Sequence, residues 1–414
     1  PDELQEQLQA LAGPSSGPNG GQIMIDGFSG GNLPPKSSIR EVRINSNPFS
    51  PEYDRPGFGR IEILTRPGSD HIRGQFFAQF NDESLNSRSP LLEQSKRTPY
   101  QQKFFGLNLS GPLVKGKASF GFDMNRRSID ENAFIYATTL DTSLVPQTIS
   151  QAVLTPQTRT NLSPRLDLAL SPKHTLVLRY QNGRNTAENE GVGDYNLLSK
   201  AYSQTGSDHT VQLTETAVLS AKTINEFRLQ FLRASIDRTG DTTLPAINVA
   251  GAFEGGGAQV GNSGSLSNRW EFSDTMSHAL GRHMFKWGAR FRQVNYDDTS
   301  VNNFGGTYTF LGGLAPELDA YNNALAGPYV QITALERYRR TLLFQSMGYD
   351  AATVRALGGG ASQFSLSAGM ASTSVSQFDA GLFWNDDWRV RSNLTVSYGV
   401  RYETQTNVGD HADW

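Results

Sequence analysis

The sequence predicts an all-β transmembrane barrel, and three observations predict it. Apolar and polar residues alternate in stretches of about ten residues, as in residues 118–125, whose sequence is ASFGFDMN. The polar faces carry Arg, Lys and Glu, which the dry core between two packed sheets could not hold without unpaired buried charges. Short turns and long loops alternate along the chain, as they do between the two rims of an outer-membrane barrel.

The alternating stretches indicate about eleven antiparallel strands. Their approximate bounds are 72–81, 103–110, 117–127, 160–170, 174–184, 208–219, 223–235, 268–279, 283–297, 375–389 and 393–405. Short links rich in Gly, Pro, Ser or Asn, typical of hairpin turns, join them at 111–117, 171–174, 220–223, 280–283 and 390–393. The other links are much longer, and the longest, 298–375, contains a stretch with helical spacing of Ile332, Leu335, Tyr338 and Leu342.

Composition excludes several other classes of protein. Hydrophobic residues make up 37% of the chain and the mean hydropathy is −0.45, values that a barrel can have because alternation hides its lipid-facing residues. The absence of cysteine excludes disulfides and thiolate metal sites. A net charge of −3, with no stripe of basic residues between aromatic ones, gives no support for a nucleic-acid partner.

Residues 21–70, before the first predicted barrel strand, have a different residue pattern. Residues 22–26, 39–44 and 60–65 are β-like runs separated by Gly- and Pro-rich passages, so residues 21–70 indicate a small α/β element. Three stretches carry a family resemblance: IMIDGF, IREVRINSNPFSPEYDRPGFGRIEILTRPGSDHIRGQF and FWNDDWRVRSNLTVSYGVRYE. They resemble TonB-dependent outer-membrane receptors of the Oar-like group.

The resemblance implies a plug domain in residues 1–70 and the N-terminal half of a transmembrane β-barrel in residues 71–414. A plugged barrel of this family has about 22 strands, so the chain would hold about 11 of 22 and the barrel would continue beyond Trp414. We also expect a signal peptide and the rest of the plug before residue 1, since an outer-membrane protein needs such a peptide. The barrel would then be open along its first and last strands.

The implied function is uptake of a scarce, unidentified ligand through the outer membrane of a Gram-negative bacterium. The implied partners are outer-membrane lipid and TonB with its inner-membrane motor complex. The alternative is an Oar-like outer-membrane protein for adhesion, surface organisation or protein export. A TonB box upstream of residue 1 would favour transport over that alternative.

Charged residues of the plug segment are the first candidate site. Arg43, Arg55, Arg60 and Glu62 would make polar contacts between the plug and the barrel, with the arginines pairing with acids of the lumen such as Glu226, Glu271 or Asp379. Such contacts in a wet lumen are weak enough to be reversible. The alternative interpretation is local, solvated ion pairing within the segment.

Aromatic residues on the apolar strand faces are the second candidate set. Their expected role is a lipid-facing girdle at the membrane interface, with ligand stacking as the alternative, and they are Trp287, Trp384, Trp388, Tyr398 and Tyr402. The six histidines are scattered and no catalytic, phosphate-binding or metal motif occurs in the sequence. We therefore expect neither an enzyme nor a cofactor or metal site.

Overall fold

The computed structural model describes most of the chain. The described residues are 21–29, 33, 38–45, 49–54, 57, 59–85, 99–241 and 243–407. Arg55 and the chain's first and last residues, for which we expected an incomplete plug and the start of a further loop, lie outside them. Within the described residues a small N-terminal sheet, a large sheet and a layer of loop structure can be distinguished.

The small sheet, here called the N-terminal sheet, has four strands within the described residues. They are β1 (Gly21–Ile25), β2 (Phe28–Ser29), β3 (Ile39–Asn45) and β4 (Gly59–Thr65), in the order β2-β1-β4-β3. The pair β1–β4 is parallel, and the other pairs are antiparallel. Ile61 and Ile63 on β4 are completely buried and pack with Ile25, so this sheet has an apolar core of its own.

The large sheet has eleven strands in the described parts of the chain, the number expected from alternation. They are β5 (Arg73–Asp82), β6 (Gln101–Val114), β7 (Ala118–Leu140), β8 (Pro146–Ser171), β9 (His174–Glu190), β10 (Tyr202–Ser220), β11 (Thr223–Gly240), β14 (Asn262–Leu280), β15 (His283–Thr299), β20 (Ser372–Arg391) and β21 (Leu394–Gln405). Each strand pairs antiparallel with its sequence neighbour in the sheet, and β5 and β21 are its two edges within the described residues.

The hairpin of β7 and β8 extends far beyond the strands predicted at 117–127 and 160–170. Its outer half carries Ile135, Ala137 and Val153, which are buried in the apolar core of the loop layer. Alternation did not predict this outer half of the hairpin, because its apolar residues are buried by another protein segment and do not face lipid.

The loop layer is built from the long connections. Its strands are β12 (Ala246–Val249), β13 (Phe253–Gly256), β16 (Thr307–Phe310), β17 (Gly313–Leu318), β18 (Ala324–Ile332) and β19 (Gln363–Ser365). Two helices follow β18, α1 (Ala334–Ser346) and α2 (Ala351–Ala356), and α1 confirms the predicted helix. Thr333 caps α1 by accepting a hydrogen bond from the Glu336 backbone N–H, and Tyr338 packs edge-on against Phe253.

None of the helices in the described parts of the chain is both long enough and apolar enough to cross a membrane.

The two faces of the large sheet differ in chemistry along its whole width. A row of large apolar side chains crosses neighbouring strands on the outward face, in the register Leu166, Leu178, Leu213, Leu229, Phe272, Phe291. Exposed arginines on the same face, Arg126, Arg184 and Arg233, end the apolar band on the long-loop side. Each lies about ten residues beyond a basic residue of a short turn, which corresponds to roughly 25 Å along the membrane normal.

A matched pair of arginine substitutions tests this placement. Leu178→Arg, in the middle of the apolar row, should destabilise the protein by about 2–4 kcal/mol, because a charge at mid-membrane is poorly solvated. Val396→Arg should cost only about 0–1 kcal/mol, because Val396 pairs with Trp388 two residues from the start of β21 at the short-turn rim. Urea titration of the full-length protein in lipid vesicles measures both, and equal costs would contradict the placement.

Candidate functional site

The N-terminal sheet contacts the polar face of the large sheet through three clusters of charged residues. The first surrounds Asp26, at the turn after β1. Its carboxylate accepts hydrogen bonds from the Thr65 backbone N–H at 2.8 Å, from the Thr65 hydroxyl at 2.6 Å and from Arg179 Nη1 at 2.9 Å. Arg165 lies 3.7 Å from the same carboxylate, and its neighbour Asp167 accepts from the Gly68 N–H at 2.9 Å. Asp26 therefore joins β1 and β4 to β8 and β9.

The backbone conformation of the residue after Asp26 favours glycine, and this residue lies close to the barrel wall. Gly27 has φ +83°, a left-handed conformation that other residues rarely adopt. A Cβ atom on Gly27 would also overlap the guanidinium of Arg228 on β11. The turn thus places the backbone directly against a lumen arginine, which explains the Asp-Gly pair of the IMIDGF stretch.

The second cluster centres on Glu271 of β14, a buried carboxylate with a side chain only 5% exposed. It accepts hydrogen bonds from the Ser29 hydroxyl at 2.9 Å, from Arg269 at 2.8 Å and from Arg290 at 2.9 Å. Arg269 also donates to the Ser29 carbonyl and hydroxyl. Each buried charge therefore has a charged partner and a hydrogen bond to the N-terminal sheet, as buried ion pairs require.

The third cluster lies at the segment between β3 and β4. Arg290 is 2.6 Å from Asp54, and Arg292 is 3.5 Å from Asp54 and 2.8 Å from Asp379. Lys286 pairs with Glu52, and Arg401 donates to the carbonyl of the preceding Pro51 at 3.2 Å. A cavity of about 280 Å³ lies between these groups and β11, with Tyr53, Arg60 and Arg228 in its lining.

The predicted arginines of this segment pair locally. Arg43 lies 2.5 Å from Glu41, and Arg60 lies 3.7 Å from Glu62 with its guanidinium 5.0 Å from the centre of the Tyr53 ring. Arg43, Arg60 and Glu62 line the cavity, but the ion pairs that they form are the local ones of the alternative interpretation. Arg55 lies outside the described residues.

The contacts between the sheets have the opposite polarity to the one expected. The N-terminal segment supplies the acids Asp26, Glu52 and Asp54, and the barrel wall supplies the basic partners. Of the lumen acids named beforehand, Glu226 pairs with Arg228 and Asp379 with Arg292, both on the wall, and only Glu271 reaches the N-terminal sheet, through the Ser29 hydroxyl. Sequence reasoning missed Asp26 and Ser29, although Asp26 stands inside the IMIDGF stretch.

The predicted aromatic set lies on the outward face of β15, β20 and β21. Trp287 pairs with Trp384, Trp388 lies beside the short turn, and Tyr398 donates a hydrogen bond to Asp386 at 2.8 Å. Tyr402 is exposed near the other end of β21. The set spans several heights on the strands, so a girdle role stays a prediction for each residue.

The chain is similar in sequence to known outer-membrane proteins. A family model described as an outer membrane beta barrel domain matches residues 135–413. The TonB-dependent transporter Oar of Myxococcus xanthus is 23% identical, and the match covers 96% of this chain and 43% of that protein. The predicted resemblance to the Oar-like group is thereby confirmed.

Solved structures match as well. The outer membrane transporter YddB from Escherichia coli has a TM-score of 0.53 at 11% identity, covering 94% of this chain and 49% of that one. The siderophore receptor PirA from Acinetobacter baumannii has a TM-score of 0.53 at 13% identity, covering 95% and 50%. These likenesses concern the fold alone, and the chain spans about half the length of these relatives.

Removal of the charge on Asp26 tests the first cluster. Asp26→Asn should lower the free energy of local opening of residues 21–29 and 61–65 by about 1–3 kcal/mol, because buried Arg179 loses its charged acceptor. Hydrogen–deuterium exchange of the full-length protein measures this loss. The control Glu41→Gln removes an exposed pair and should leave protection almost unchanged. Equal effects of the two variants would contradict the role of Asp26.

The Glu52–Lys286 contact should depend on pH. Burial raises the pKa of Glu52, but Lys286 and the hydrogen bond from Tyr53 outweigh burial, so its pKa is lowered overall. The contact therefore stabilises the folded state above the ordinary pKa of Glu, and this contribution is lost as the pH falls through the lowered pKa. A nitroxide at Phe49→Cys should become more mobile over that acidic range. Adding Glu52→Gln should remove the pH dependence, and its persistence would refute the assignment.

Proposed function

We propose, because this chain belongs to the family of outer membrane beta barrel domains, that it is part of a TonB-dependent transporter of the outer membrane. Residues 1–70 act as a plug domain, and residues 71–414 form the N-terminal half of the barrel around it. The protein takes up a scarce ligand through the lumen when TonB and its inner-membrane motor complex pull on the plug. We propose a transporter and not an enzyme.

The observation that carries this proposal is the contrast between the interior of the N-terminal sheet and its attachment to the wall. The sheet is held together by buried isoleucines, whereas its contacts with the wall are hydrogen bonds and ion pairs around Asp26, Ser29, Glu52 and Asp54. Exposing an apolar core to water costs free energy in proportion to the area exposed. Polar groups that separate in a wet lumen exchange protein partners for water at a small net cost. The sheet can therefore leave the wall as a unit without losing its own core.

The covalent junction supports the same mechanism. The chain passes from β4 to β5 within residues 66–72, and Gly68 is held against Asp167 at the wall. A plug tethered at this junction would stay attached to the barrel while its other contacts open. The lumen face then exposed carries alternating acids and arginines, which suits a polar ligand.

The relatives bear on the ligand only through their names. One is a TonB-dependent transporter, and one of the solved structures is called a siderophore receptor. For this protein we propose a scarce polar nutrient as the ligand. The rival function, adhesion, surface organisation or protein export by an Oar-like protein, requires no energised movement of the N-terminal sheet.

Cysteine labelling in cells distinguishes the two functions. This chain has no native cysteine, and Ser29 is 6% exposed between the N-terminal sheet and the wall. In the full-length protein, a Ser29→Cys variant should react slowly with a polar maleimide at rest, and at least several-fold faster in energised cells that contain TonB. Labelling should return to the slow rate in cells lacking TonB or treated with an uncoupler.

The control variant is Ser372→Cys, at an exposed strand end, which should be labelled equally in every condition. A labelling rate for Ser29→Cys that is independent of TonB and of the proton gradient would refute energised transport and favour the rival function.

A further inference from the structure

The five short turns of the large sheet share one chemical feature. Every turn carries a basic residue in the turn or directly beside it, and these residues are Lys115, Lys117, Lys173, Lys222, Arg282, Arg389 and Arg391. No acid occurs in the turn segments 115–117, 172–173, 221–222, 281–282 and 392–393. Because the whole chain has a net charge of −3, this concentration of positive charge is not a consequence of overall composition.

These basic residues are available to a ligand. All seven are exposed, and none forms an ion pair with another group among the residues that the structure describes. The basic rim, as we call this set, therefore contrasts with the arginines of the lumen face, such as Arg179 and Arg290, which are buried and paired with acids.

Backbone hydrogen bonds hold the basic rim at one height. The carbonyl of the turn residue accepts an N–H from the next hairpin in four successive cases, with distances of 2.7–2.8 Å. The pairs are Lys117 with Ala169, Lys173 with Val218, Lys222 with Ala279 and Arg282 with Arg389. Neighbouring hairpins are two strands apart, so successive cations lie about 10 Å from each other along the rim.

An exposed leucine accompanies the cation in each of the first four turns. Leu113, Leu170, Leu219 and Leu280 are each about half exposed or more and lie at the turn ends of their strands. A basic residue follows each leucine within three positions. The repeated unit is thus an apolar side chain on the lipid side and a flexible cation at the membrane surface, an arrangement in which Lys and Arg reach the headgroup level.

We propose that the basic rim binds the phosphate headgroups of anionic phospholipids in the leaflet at the short turns. Each hairpin offers one anion position above an apolar side chain that contacts the acyl region. A basic residue near an anionic membrane surface is attracted to the lipid phosphates, and the regular spacing lets several lipids bind side by side. An acidic protein domain would match the charge but would leave the exposed leucines, which face lipid, without a role.

Lipid selectivity of the full-length protein tests this site. Spin-labelled phosphatidylglycerol and phosphatidylcholine are compared in vesicles by electron paramagnetic resonance, which gives their relative association with the protein. The wild-type protein should prefer phosphatidylglycerol. This preference should fall about fivefold in a quadruple variant with the substitutions Lys115→Gln, Lys173→Gln, Lys222→Gln and Arg282→Gln. It should fall by a similar factor for the wild type in 1 M salt.

The matched control removes four exposed cations that are not at the rim, with Arg40→Gln, Arg127→Gln, Arg238→Gln and Arg355→Gln. It should retain the preference of the wild type. An equal loss in both variants would show a response to net charge alone, and an unchanged rim variant or a wild type with no preference would overturn the proposal. Should the quadruple rim variant fail to insert, the single variant Lys222→Gln and the salt titration of the wild type decide the question.

Discussion

The backbone hydrogen-bond ladder of the large sheet is the constraint on which the other features depend. In lipid, every backbone N–H and C=O must be paired within the protein, so spanning strands must run in continuous register with their neighbours. The ladder from β5 to β21 satisfies this between sequence neighbours without a crossover. Once the ladder is fixed, side chains alternate strictly between the two faces, and each face can be adapted to a different medium.

Separation of the faces creates two electrostatic environments. On the inward face, arginines of β8, β9 and β15 are buried beneath the N-terminal sheet and must have acids within reach, which Asp26, Asp54 and Glu271 provide. At the short-turn rim, water and headgroups solvate the cations, which have no acidic partner among the described residues. The same residue type is therefore an attachment point in one place and a membrane-surface contact in the other.

The loop layer shows how far the ladder can extend beyond the membrane. The hairpin of β7 and β8 continues outward and buries Ile135 and Val153 against Phe253 and Phe310. Helix α1 joins this core through Tyr338. Glu336 of the same helix is partly buried, which raises its pKa, but Arg339 and Arg340 outweigh burial, so the pKa is lowered overall. The long connections thus form a structured cover with an apolar core, and the apolar band of the wall ends below it.

The sequence by itself determined the strand number, the facing of the strands and the position of the short turns, because lipid imposes a period of two that needs no knowledge of distant residues. It also indicated helix α1, whose apolar spacing and Thr333 cap are local. Only the tertiary structure decided which charges meet. Asp26 and Arg179 are 153 residues apart, and Arg43 and Arg60 have local acids that compete with any distant partner. The length of β7 and β8 was likewise decided by packing against segments distant in sequence, which contain Val192, Phe253 and Phe310 and which no local pattern records.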